Sequence, residues 1–128
     1  MPHREHAIHN EEVCSLLLKQ KAFPDWVVTT AFYSALHYAE DLIFPLKEGD
    51  SSYDNISEYK VTLDYSKRIS KHDLRLELIK KKLSGIYNEY RWLYEKSHKA
   101  RYVTYKIDPE AANLAKRYLE KIRNFKKS

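Results

Sequence analysis

Hydrophobic positions recur at helical spacing along residues 70–102 of this chain, SKHDLRLELIKKKLSGIYNEYRWLYEKSHKARY. Ile79, Leu83, Ile86, Tyr90 and Leu93 follow at steps of four, three, four and three, which puts them on one stripe of an α-helix. Ser70 is a good cap, and Asp73 stands at the capping-box position three residues on. Gly85 costs about 1 kcal/mol relative to alanine, but a lone interior glycine more often marks a close helix approach than a break. The spacing therefore predicts one rod from residue 71 to about 98, about 40 Å long at 1.5 Å per residue. A second line, Arg91, Tyr94, His98 and Arg101, runs beside the stripe. Arg91 and His98 are seven residues apart, so two helical turns bring them to nearly the same azimuth.

The rest of the chain gives further helices. Residues 5–21 read as a first helix with Val13, Leu16 and Leu17 inward. Phe23-Pro24-Asp25 breaks the pattern, and Asp25 is positioned to cap a second helix reaching Phe44. Its apolar face, Val27, Val28, Ala31, Phe32, Ala35, Ala39 and Leu42, is wide enough for a central helix. Residues 45–69 form a long polar connection, with a short helix expected over 55–61. Asp108-Pro109-Glu110 starts the last helix, whose inward face is Ala111, Ala115, Tyr118, Ile122 and Phe125. No segment reads as a convincing strand. The expected fold is all-α, an up-and-down bundle of roughly four to five helices with one long central helix, in a single domain spanning residues 1–128.

Composition narrows the setting. The chain has 13% aromatic residues and only two glycines, which argues against disorder. No apolar run approaches the ~20 residues of a membrane span, and the N-terminus is too polar for a secretory signal. Cys14 is the single cysteine, so no intrachain disulfide forms, and a reducing cytoplasm is the expected location. Cys14 itself is expected to be packed rather than reactive. Residues 1–66 hold five Lys/Arg against eleven Asp/Glu, and residues 67–128 hold eighteen against seven. This asymmetry points either to halves that attract each other or to a basic face for a polyanion such as RNA. His3, His6 and His9 are spaced so that a helix could gather them around a metal, but no fourth ligand accompanies them. No metal or cofactor is expected.

The blocks Asp25-Trp26, Ala31-Phe32-Tyr33-Ser34-Ala35-Leu36-His37, His72-Asp73-Leu74-Arg75, and Tyr90, Leu93, Ser97, Ala100-Arg101-Tyr102 together resemble the HEPN superfamily, over residues ~25–125. They are most similar to its small stand-alone prokaryotic members. The resemblance implies a helical bundle, often a homodimer. It also implies a protein that engages RNA or nucleotides, in many members as a metal-independent endoribonuclease of a toxin or defence system. The alternatives are a non-catalytic regulatory module paired with a partner such as a nucleotidyltransferase antitoxin, and a dimeric scaffold. The ribonucleases carry Arg, four to six residues, then His, and Arg91 and His98 have six between them.

Metal-independent RNA cleavage needs a base for the 2′-OH, an acid for the leaving 5′-oxygen and positive charge at the phosphorus. His98 suits acid or base work near neutral pH, and Arg91 offers a planar fork to the phosphate. Arg101, Arg75, His72, Tyr94 and His37 are the candidates for phosphate or nucleotide binding, with Tyr94 available to stack a base. One histidine per chain is thin, and a two-fold dimer would supply two. The bland alternative is a solvated helix face on which Arg91 pairs with Glu95 at i,i+4.

Overall fold

A computed structural model of the protein describes residues 3–63 and 69–127. Among the described residues the chain is all-α apart from one small hairpin. The order is α1 (His3–Lys19), α2 (Pro24–Ile43), β1 (Leu46–Glu48), β2 (Ser51–Tyr53), α3 (Ile56–Lys60), α4 (Lys71–Lys82), a 3₁₀ turn (Ser84–Ile86), α5 (Tyr87–Tyr102) and α6 (Pro109–Arg123). Residues 64–68, the end of the expected 45–69 connection, lie outside the described residues. Among the described residues, no helix is long and apolar enough to cross a membrane.

The second helix is the centre, as its wide apolar face predicts. It packs against α1, α4, α5 and α6. Val27, Val28, Ala31, Phe32, Ala35, Tyr38 and Ala39 are all buried, and the alanine row lets the neighbouring backbones approach. The Ser34 hydroxyl donates to the Ala7 carbonyl at 2.6 Å and the Cys14 thiol lies 3.6 Å from the Val27 carbonyl, so α1 and α2 run antiparallel. Burial pushes the Cys14 thiol pKa up, in keeping with a packing role.

Helix capping follows the sequence at Ser70 and Asp108, and Asn55 caps the short helix expected over 55–61. The Ser70 hydroxyl accepts from the Asp73 N–H at 3.0 Å, Asn55 Oδ1 from the Glu58 N–H at 2.9 Å, and Asp108 Oδ1 from the Glu110 N–H at 2.9 Å. Each satisfies an N–H that has no partner within the helix. Elsewhere the structure departs from expectation. Asp25 does not cap α2. Pro24 takes the first helical position, Phe23 precedes it in a left-handed conformation (φ 53°), and Asp25 falls in the first turn. Leu16 is 57% exposed, and the inward residues of α1 are Ala7 and Cys14, with Leu17 and Leu18 partly covered. A hairpin stands where no strand was expected. Gly49 (φ 59°) occupies its two-residue turn, a position that favours glycine.

The largest correction concerns the long central helix. The rod over 71–98 is interrupted at Leu83, whose φ of −132° and ψ of 45° leave helical space. The break lets both Leu83 and Ile86 bury completely. Gly85, in the 3₁₀ turn between them, lies so close to the Phe125 ring that an added Cβ would stand 2.8 Å from it. The glycine thus marks a close approach and a change of direction together. Two ion pairs join the acidic and basic halves at Glu11, to Lys116 at 3.2 Å and to Arg123. The Tyr38 hydroxyl also donates to Glu11, at 2.6 Å.

Candidate functional site

Helix α5 presents its second line of residues to solvent because the stripe Tyr90, Leu93, Ser97 and Ala100 is turned into the core. Arg91, Tyr94 and His98 line one open groove of about 550 Å³ where α5 meets α4, together with Asp73, Leu76, Tyr87 and Glu95. The pair expected from spacing is therefore brought to one place. His98 is exposed; it stacks on Tyr94, with ring centroids 6.2 Å apart, and is tilted by 52° against Tyr102, at 4.9 Å. Tyr94, His98 and Tyr102 form a ridge of three rings at i, i+4 and i+8.

The arginines differ in availability. Arg91 donates from Nε to Glu95 Oε1 at 2.9 Å, the i,i+4 surface pair. Asp73 and Glu95 give the groove mixed charge rather than a basic one. Arg101 donates from Nε to the Ser97 carbonyl at 3.2 Å and from a terminal nitrogen to the Tyr33 hydroxyl at 2.6 Å. Its guanidinium also lies over the rings of Tyr33 and Tyr102, at 5.3 Å and 5.1 Å.

Four of the expected site residues, Arg101, Arg75, His72 and His37, do not line this groove. Arg75, expected to meet a phosphate, is buried and grips Glu40 Oε1 with two nitrogens, each at 2.9 Å. The Tyr90 hydroxyl is buried without a hydrogen-bond partner, and burial raises its pKa. His72 stands edge-on to Tyr94, with ring centroids 3.8 Å apart, and tilts against Phe32. Burial, then Arg75 and Arg101, lower its pKa below 6.5, so its neutral form is favoured. His37 stacks on His6 at 4.9 Å, and burial lowers its pKa too. The Nδ1 atoms of His37 and His72 are both buried without a hydrogen-bond partner.

The histidine arrangement also differs from the one spacing suggests. His9 is exposed, whereas His3 turns towards α2 and sits 3.1 Å from Glu40 Oε2. A three-residue group of His3, His37 and Glu40 replaces the His3, His6, His9 row. The signal for part of it was local, since His37 and Glu40 are one helical turn apart. Tyr33 and Tyr102 were likewise missed as partners of Arg101. A Tyr102 role was legible in the i,i+4 ladder from His98, but the Tyr33 contact crosses 68 residues of sequence. Comparison of the chain with family models, with curated proteins and with solved structures finds no match.

Proposed function

We propose that the protein engages single-stranded RNA along the exposed face of α5, as a HEPN-type protein. The observation that carries this reading is the co-exposure of Arg91 and His98 in one groove, with the His98 ring between those of Tyr94 and Tyr102. Aromatic rings in a row offer bases a stacking surface, worth about 1–3 kcal/mol per base. Arg91 stands where it can leave Glu95 for a phosphate, exchanging one exposed carboxylate partner for another anion.

Cleavage extends the same reading. A base removes the 2′-OH proton, the 2′-oxygen attacks phosphorus, and the P–O5′ bond breaks as an acid protonates the departing 5′-oxygen. The products are a 2′,3′-cyclic phosphate and a 5′-hydroxyl. His98 supplies one of the two proton-transfer groups. A homodimer that pairs two α5 faces across a two-fold axis supplies the other. Such an enzyme fits a cytoplasmic toxin or defence system. The second reading is a non-catalytic module that holds a nucleotide or pairs with a nucleotidyltransferase antitoxin. The Arg91–Glu95 contact and the mixed charge of the groove favour it.

The test is binding and cleavage of a fluorescent RNA in EDTA by wild type, His98→Ala, Arg91→Ala and Tyr94→Ala. RNA engagement predicts binding that falls in Arg91→Ala and Tyr94→Ala. Catalysis adds wild-type cleavage that both His98→Ala and Arg91→Ala abolish, with circular dichroism unchanged. Absence of binding at any protein concentration moves the conclusion to the partner-binding module. Cleavage that survives both substitutions overturns the Arg91–His98 site.

A further inference from the structure

A second cluster, away from the α5 groove, joins the first turn of α1 to α2. One ligand atom from each of His3, His37 and Glu40 lies within 4.8 Å of the others. His37 and Glu40 share a face of α2 because they are one turn apart. His3 reaches them from the first residue of α1, with its Nδ1 3.1 Å from Glu40 Oε2. The other His3 ring nitrogen, Nε2, is 3.5 Å from the Asp54 carbonyl oxygen. If Nε2 carries the proton towards that carbonyl, Nδ1 and Glu40 Oε2 face each other as two acceptors. They then repel unless a second ring proton or a metal cation lies between them. A backbone carbonyl behind one ring nitrogen is also the arrangement that orients a metal-bound imidazole.

The neighbours of the cluster support the same occupant. Arg75 holds Glu40 Oε1 at 2.9 Å, which fixes the carboxylate and leaves Oε2 turned towards His3. His37 contributes a buried Nδ1 with no hydrogen-bond partner. A buried polar atom without a partner is costly and calls for an explanation in ligand chemistry or strain.

We propose that His3, His37 and Glu40 bind one divalent first-row transition-metal ion, with zinc the ion that two imidazoles and a carboxylate suit best. Ligand atoms around a tetrahedral zinc stand about 3.4 Å apart, given metal–ligand bonds of about 2.1 Å. The widest separation in the cluster, at most 4.8 Å, therefore closes by side-chain shifts of roughly an ångström. Three protein ligands leave the fourth position to water or a small anion. Arg75 shares the charge of Glu40 and so weakens the site relative to a lone carboxylate. The bound ion ties the first turn of α1 to α2, so it acts on stability and is independent of the RNA reading.

The experiment titrates Zn²⁺ into untagged, chelator-treated full-length protein, by calorimetry and by thermal melting. Co²⁺ serves as a second probe through its visible absorption. One equivalent of Zn²⁺ should bind, and saturation should raise Tm by roughly 5–10 °C. His3→Ala and His37→Ala should each lose the binding and the visible Co²⁺ band, and His9→Ala should keep both. His3 is only partly buried and outside the hydrophobic core, so its loss spares the core if His37→Ala fails to fold. No Zn²⁺ binding up to millimolar metal overturns the site, as does binding that survives His3→Ala. Loss of binding in His9→Ala also overturns it, because the metal would then sit on the outer face of α1.

Discussion

The Arg75 guanidinium contacts Glu40 Oε1 through two nitrogens, each at 2.9 Å, and both side chains are nearly closed off from water. The pair joins α2 to α4 across 35 residues of sequence. Removing Arg75 leaves the Glu40 charge in a low-dielectric interior with only His3 beside it, which costs up to about 3–5 kcal/mol. Arg75→Met should therefore lower stability by up to that amount in urea melts. The double variant Arg75→Met with Glu40→Leu should recover most of the loss. A double variant no more stable than Arg75→Met would show that the guanidinium acts through something other than Glu40.

Arg91 is the energetic opposite of this pair. It is exposed, and its partner Glu95 is exposed too. Arg91→Ala should leave the urea midpoint nearly unchanged while it lowers RNA affinity. Glu95→Gln should strengthen RNA binding, because it frees the guanidinium and removes a carboxylate from the groove. Equal RNA binding in wild type, Arg91→Ala and Glu95→Gln would remove the groove from the function.

Stability should fall with pH in two windows, one opening below pH 6.5, which His72 shares with His37, and one below pH 4.5. His72 has its folded pKa pushed below 6.5 by burial, Arg75, Arg101 and His98, against the opposing pull of Asp73. The unfolded chain then binds more protons below pH 6.5, so stability is lost from there down to the lower folded value. Burial raises Glu11, but the Tyr38 hydroxyl, Lys116 and Arg123 outweigh it and hold the carboxyl below 4.5. The Glu11 contribution is present above pH 4.5 and disappears as pH falls through the folded value. Urea melts across this range should show the upper slope flattened in His72→Gln and the lower one in Glu11→Gln.

Lys21 follows the end of α1 with φ 53°, a left-handed conformation that side chains with a Cβ adopt at a cost. Its N–H still closes the helix end by donating to the Leu18 carbonyl at 3.0 Å. Lys21→Gly should stabilise the protein by about 0.5–1 kcal/mol, and Lys21→Val should destabilise it. Thermal melting checks both. A glycine variant less stable than wild type would mean that unfolded-chain entropy outweighs the relief of the backbone.

The helices around Ser70, Asn55 and Asp108 were legible because capping and hydrophobic periodicity are interactions between residues three or four apart. The sequence alone also identified α2 as the central helix, since its apolar face is too wide for a surface position. The azimuth shared by Arg91 and His98 came from the same local arithmetic, and it placed both in one groove. Tertiary structure decided the rest. The break at Leu83 is set by what Leu83, Ile86 and Phe125 must fill once α4 and α5 pack, and nothing within one helical turn encodes that. The fate of the other candidates was equally non-local. Arg75 is buried because Glu40 lies opposite it on α2, and His3 turns to the same carboxylate and to His37 rather than to a row with the exposed His9. Charge pairing between distant segments appears only after the chain has closed, so the sequence could name these residues without naming their partners.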